Sequence, residues 1–239
     1  MAPSVAGDNA KPDLGFSRKL NNLFFKGQKG GFFIECGANT GWGGSISYFY
    51  EHQLGWKGLN IEANPYCYAA LIQERPNCTN LEIALSNTRG EAQFHFPTNR
   101  PRGKWCGIGS LIDGSIEGSR PKECEQSVSL SERKGLDVDK LTMPGWGSAV
   151  EHLTVKTDTY SNIIRDHDVK KVDLFVLDVE GAELQVIEGM VGCPILPEVF
   201  CVETHWLTEP IVTEALKPLE YKIGGQGRYD TFYVKKNND

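Results

Sequence analysis

Several large protein classes are excluded by what this sequence does without. Basic residues do not outnumber acidic ones: 25 against 31 leave a net charge of -6, which argues against a nucleic-acid-binding surface. The short basic run NRPRGK (99–104) reads as a solvated loop. No apolar run reaches the ~18 residues of a membrane span. Residues 1–15 (MAPSVAGDNAKPDLG) lack the apolar centre of a signal peptide and read as a loose tail. None of the seven cysteines (Cys36, Cys67, Cys78, Cys106, Cys124, Cys193, Cys201) forms a C-x-x-C pair. That spacing excludes zinc ribbons, and the odd count fits reduced thiols better than a disulfide framework. The expected location is therefore cytoplasmic. No Pro/Ser-rich linker or charge run divides the chain, so residues 1–239 are expected to form one domain.

Two nucleotide signatures are missing as well. There is no Gly-Lys-Ser/Thr phosphate cradle. The dinucleotide pattern G-x-G-x-x-G fails because Asn39 and Trp42 stand at its second and third glycine positions, counted from Gly37. An indole at the third position would block the close helix–strand approach that glycine permits there, which disfavours NAD.

What remains is an alternation of strand and helix patterns. GFFIE (31–35) reads as a strand, followed by a helix through SISYFYEHQL. GLNIE (58–62) is a second strand, and Asn64-Pro65 is an N-cap with proline at the first helical position, opening a helix to Glu74. NLEIALS (80–86) reads as a third strand and EAQFHF as an exposed hairpin arm. Residues 97–150 are rich in Gly, Pro, Ser and charge, with little periodicity beyond a short helix pattern in SLSERKGLDVDKL; a connection of that kind is usually functional or mobile. Order resumes with LTVKT (153–157). Leu174–Leu177 is an apolar strand buried on both faces, and Ala182, Val186, Ile187 and Met190 share one helical face. EVFCVETH is a further strand, Thr208 and Pro210 open a helix, and YKIGG pairs with TFYVKK. Such alternation implies a doubly wound, mainly parallel sheet, whose ligand lies beyond the carboxyl ends of the strands. Glu35, Glu62, Ser86, Asp178 and His205 occupy those ends.

The residues there narrow the ligand. Glu35-Cys-Gly37-Ala38-Asn39-Thr-Gly41 suits a ligand without pyrophosphate whose amino-acid end nestles against the turn. Glu62 lies 21 residues beyond Gly41, and its two acceptor oxygens match the two donors of a ribose diol. Turn and acid together indicate S-adenosylmethionine.

At this point the chain resembles the FkbM-type methyltransferases, a branch of the class I S-adenosylmethionine-dependent fold. FIECGANTG, LNIEANP, NLEIALSNTRG, VKTDTY, VDLFVLDVEGAELQVIEGM and VFCVETH follow the family's order, and Asp-Val-Glu-Gly-Ala-Glu (178–183) is the most specific piece. The resemblance implies a seven-stranded sheet with its last strand antiparallel, and an O-methyltransferase acting on a hydroxyl of a sugar or natural-product acceptor. Glu35, where many members have Asp, Gly37, Ala38, Asn39, Gly41, Glu62 and Ala63 would hold the cofactor. Ala84 and Ser86 would line the adenine, and Asp178 would touch the methionine part. Glu180 faces the acceptor or caps the next helix, and Glu183 reads as a helix surface residue. His205, with Glu203 two residues before it, is the expected base, assisted by Glu180. The 97–150 segment is longer than the family's usual connection, and with Trp105 and Trp146 it is expected to cover the acceptor. Alternatives are a metal-assisted variant with Asp178 and its neighbours holding Mg²⁺, or a cofactor-binding partner module without transferase activity. Neither nucleic acid nor membrane is expected as a partner.

Overall fold

The computed structural model describes residues 11–97, 110–112, 150–204, 209–227 and 229–236. Helix α1 (Leu14–Leu20) runs on into a π-helical turn (Asn21–Phe25). Then come β1 (Phe32–Cys36), α2 (Ser47–Leu54), β2 (Lys57–Glu62), α3 (Pro65–Glu74), β3 (Thr79–Glu82), β4 (Ala84–Leu85), β5 (Gly90–Pro97) and β6 (Ser110–Ile112). The second part holds β7 (Val150–Asp158), α4 (Tyr160–Asp166), β8 (Leu174–Leu177), α5 (Glu183–Glu188), β9 (Val199–Glu203), α6 (Glu209–Leu216), β10 (Tyr221–Gln226) and β11 (Asp230–Lys235).

Seven strands form the main sheet in the order β10-β11-β9-β8-β1-β2-β3. The contacts among β9, β8, β1, β2 and β3 are parallel, while β11 runs antiparallel to both its neighbours. This is the doubly wound α/β sheet with an antiparallel last strand that the sequence led us to expect. The period of two along each strand builds a core on each face. Ile34, Phe175, Leu177, Phe200 and Val202 pack against Ile163 of α4, Val186 and Ile187 of α5 and Val212 of α6. Their neighbours Phe33, Leu174, Val176, Val199 and Cys201 pack on the other face against Leu20, Phe25 and the α2 residues Phe49, Tyr50 and Leu54. Strand β1 sits between β8 and β2, where the strand order reverses, and a crevice opens there at the carboxyl ends of an α/β sheet.

Four local expectations need correction. The third strand breaks at Ile83: β3 stays in the main sheet, while β4 leaves to pair with β7. LTVKT is the end of the longer β7, which belongs to a second sheet of order β4-β7-β5-β6 rather than to the main one. There EAQFHF is no free hairpin arm, since β5 pairs antiparallel with β7 along its whole length. Finally, the tail expected over 1–15 overlaps α1, whose N-terminus is capped by Asp13 accepting from the Phe16 N–H at 2.9 Å. A period-two pattern marks a strand, but it carries no record of which sheet the strand joins.

Candidate active site

Strands β1, β2 and β8 end side by side, and the turns beyond them enclose a cleft with about 920 Å³ of space free of protein atoms, open to solvent at its mouth. The first turn is built by close approach. Gly37 has φ +83°, and a Cβ on it would lie 1.7 Å from the Asp178 carbonyl oxygen, so a side chain there would drive β1 and β8 apart. The N–H groups of Gly37 and Ala38 donate to the Ile61 carbonyl at 3.0 and 3.1 Å, tying the same turn to β2. Asn39 follows at φ +50°, a left-handed conformation that asparagine tolerates.

Glu62 ends β2 and faces this turn. One carboxylate oxygen accepts from the Asn39 N–H at 2.7 Å and the other from the Asn64 N–H at 2.8 Å. Burial pushes Glu62 up to about 7, against the pull of the backbone N–H groups of Asn64, Asn39 and Ala63 toward the carboxylate.

Glu35 is buried one residue before the end of β1, and its oxygens are engaged by the protein. They accept from Ser45 Oγ at 2.7 Å, Ser47 Oγ at 2.6 Å, and the N–H groups of Ile46 and Ser47 at 2.9 and 3.3 Å. The carboxylate thus caps α2, which has no local side-chain cap.

Opposite the glycine turn, the chain leaves β8 through Asp178, Val179 and Glu180, which all line the cleft. Asp178 and Glu180 meet there through a tight turn, with Glu180 at φ +57° and Gly181 at φ +108°, and not through the extended chain the sequence suggested. Glu183 is not on the helix surface. It is fully buried, and one of its oxygens accepts from the N–H groups of Val179 and Gly181 at 3.3 and 3.1 Å. Its carboxyl braces the turn, and burial pushes it up to about 7. The physical reason is that a tight turn of buried N–H groups needs an acceptor.

Asp178, Glu180 and Glu203 each bring an oxygen within 4.8 Å of the others. Burial, with Asp178 and Glu180 beside it, raises Glu203 well above the carboxylate range. Burial raises Asp178 as well, to about 6, against the pull of its hydrogen bond to Glu203. Burial and mutual crowding thus both work against full ionisation of this cluster.

Of the residues singled out in the sequence, Glu35, Gly37, Ala38, Asn39, Glu62, Ala63, Ala84, Asp178 and Glu180 line one cleft. Gly41 and Ser86 stand behind its wall. A Cβ on Gly41 would meet Arg75 Cγ and Leu71 Cδ1, each at 2.6 Å, and the Ser86 carbonyl abuts Gly189. His205, Trp105 and Trp146 lie outside the described residues. Sequence reasoning missed Phe94 of β5, which joins Ile83 and Leu111 in an apolar wall beyond Ala84. The alternation in EAQFHF was its signal; the pairing that turns this face onto the cleft was not.

The family profile described as the methyltransferase FkbM domain matches residues 35–208. No curated protein matches the chain. Among solved structures, methyltransferase FkbM from Methylobacillus flagellatus KT is 11% identical with a TM-score of 0.45, covering 87% of this chain and 44% of that one. This chain thus spans less than half of that protein's length. The ribosomal protein L11 methylase of Lactobacillus delbrueckii subsp. bulgaricus is 11% identical at a TM-score of 0.41, with 91% and 80% covered. A TehB-like SAM-dependent methyltransferase from Corynebacterium glutamicum ATCC 13032 Kitasato is 11% identical at 0.41, with 93% and 88% covered.

Proposed function

We propose that this chain, which belongs to the FkbM methyltransferase family, moves the methyl group of S-adenosylmethionine to a hydroxyl of a small-molecule acceptor. The observation that carries this reading is Glu62, a buried carboxylate that ends β2 on the cleft wall beside the glycine turn. That arrangement suits the two hydroxyls of a ribose. The Gly37–Asn39 turn suits the amino-acid end of the cofactor, and Ile83, Ala84, Phe94 and Leu111 form an apolar wall for its base. Asp178 is a negative group for the cationic methionine part, and Glu35 shapes the turn through its bonds to Ser45, Ile46 and Ser47.

When bound, S-adenosylmethionine supplies a methyl group on a sulfonium, which an acceptor oxygen takes while the sulfur keeps the bonding pair as a thioether. The protein's part is to align the acceptor and to take its proton. Glu180, on the cleft wall beside Asp178 and Glu203, is the described candidate for that role. His205 is the other base expected from the sequence. The irregular 97–150 segment is the proposed acceptor cover within a single methyltransferase domain. No helix of the described residues is long and apolar enough to cross a membrane.

Transfer of label from methyl-labelled S-adenosylmethionine to a hydroxyl compound in fractionated extract tests the reaction. Glu180→Gln is expected to bind S-adenosylhomocysteine like the parent and to lose at least ~10²-fold in turnover, the usual contribution of a positioned base. If Glu180→Gln turns over normally and His205→Ala does not, the base is His205. The acidic cluster also offers a metal-assisted reading, which turnover lost in EDTA and restored by Mg²⁺ would select.

A further inference from the structure

Arg75 is the largest fully buried side chain among the described residues, and no motif of the sequence draws attention to it. It directly follows α3, the helix that begins just past Glu62. Its guanidinium turns back under the sheet, 5.5 Å from the Phe33 ring centroid and 5.7 Å from that of Tyr48. All three of its nitrogens are committed. Nη1 donates to the Gly41 carbonyl at 3.2 Å and to Ser45 Oγ at 3.1 Å, Nη2 donates to Ser47 Oγ at 3.0 Å, and Nε pairs with Glu51. Glu35 lies 3.7 Å from Nη1 and holds the same two serines.

A buried cation placed only to neutralise Glu51 would need one contact. This one spreads its planar fork over three acceptors of a single loop, residues 41–47, whose Gly43, Gly44, Ser45 and Ile46 form a wall of the cleft. The loop also presses so closely on α3 that no side chain fits at Gly41. Two βα units therefore meet at one guanidinium: the unit carrying the glycine turn and the unit carrying Glu62. A lysine could carry the charge but not the fork.

We propose that Arg75 is the positioning residue of the cofactor loop: by holding the Gly41 carbonyl, Ser45 and Ser47 at once, it fixes the distance between the glycine turn and Glu62 and so sets cofactor affinity. This rests on the reading that the cleft takes S-adenosylmethionine. Arg75 stands behind the residues that line the cleft, so its loss acts on binding and leaves the bound complex to react as before.

The test compares Arg75→Lys, Ser47→Ala and Glu62→Ala with the parent protein. Binding of S-adenosylhomocysteine is measured by calorimetry, KM and kcat with saturating acceptor, and folding by circular dichroism. Arg75→Lys is expected to raise Kd and KM for the cofactor by ~10-fold or more, as loss of charge-assisted bonds would, with kcat within ~3-fold of the parent. Ser47→Ala removes one acceptor of Arg75 together with one donor to Glu35 and keeps the charges, and should raise KM in the same direction with kcat unchanged, so the proposal stands on a second variant if Arg75→Lys fails to fold. Parental cofactor affinity in either folded variant, or a fall in kcat at unchanged KM, overturns it. Glu62→Ala separates the two layers of the argument. If it binds S-adenosylhomocysteine normally, the cofactor reading itself fails. If it loses affinity while Arg75→Lys does not, only the role of Arg75 is lost.

Discussion

At the scale of single residues, the cleft depends on contacts that leave no room for substitution. Gly37 combines a left-handed backbone with a Cβ position 1.7 Å from a backbone oxygen that cannot swing aside. Gly37→Ala should therefore cost more than ~2 kcal/mol, above the usual strain of a non-glycine residue in such a conformation. It should also abolish the rise in melting temperature that S-adenosylhomocysteine gives the parent; urea unfolding and thermal shift measure the two effects. This residue was legible, because an apolar strand breaking into glycine has few explanations. Glu62 was legible by its spacing from that turn. Glu183 was misread because helical periodicity puts charge on the solvent side by default, and nothing local shows that the turn before it needs an acceptor. Arg75 could not be read at all: a basic residue after a helix has an ordinary explanation in the helix dipole, and its partners lie 24 to 34 positions away in sequence.

At the scale of elements, α2 shows how a helix can begin without a local cap. Its first N–H groups are satisfied by Glu35 from the strand before it, and Glu35 in turn faces Arg75. Glu35→Ala strands both the helix terminus and one side of the buried cation. A loss of about 3–5 kcal/mol is expected, the cost of breaking a buried pair, read from the urea midpoint. Glu35→Gln, which keeps one acceptor oxygen for the helix N–H groups and fills the same space, should lose less. The strand and helix types were largely legible in the sequence, since alternation and capping are local. Sheet membership was not. The break at Ile83 and the transfer of β4 to the second sheet follow from pairing with β7, whose partner residues lie 73 positions further along the chain.

At the scale of the whole molecule, ligand-free stability should depend on pH in an unusual direction. Glu62 and Glu183 are both pushed up to about 7 by burial, from an ordinary value of 4.5. Between these values the folded protein holds protons that the unfolded chain has released. Their contribution is therefore complete below about 4.5 and is lost as pH rises through about 7. Urea unfolding of the ligand-free protein across this range should show that decline, and Glu62→Gln should show a shallower one; an equal slope would mean that Glu62 is already ionised throughout. Net charge and composition gave the broad class of the molecule, yet this behaviour required knowing which acids the fold conceals. The second sheet has a consequence of another kind. Ile112 and Val150 are both anchored on β5, opposite Gln93 and Pro97, so strand spacings place them less than about 20 Å apart. The stretch that joins them leaves and returns at a small sheet separate from the seven-stranded one, and closure cost rises only slowly with loop length. The proposed acceptor cover thus has a natural grafting point: residues 113–149 could be exchanged for a segment of different length and chemistry while Phe94 and Leu111 of the second sheet stay in the cleft wall, so that one scaffold could be redirected by splicing rather than by redesign.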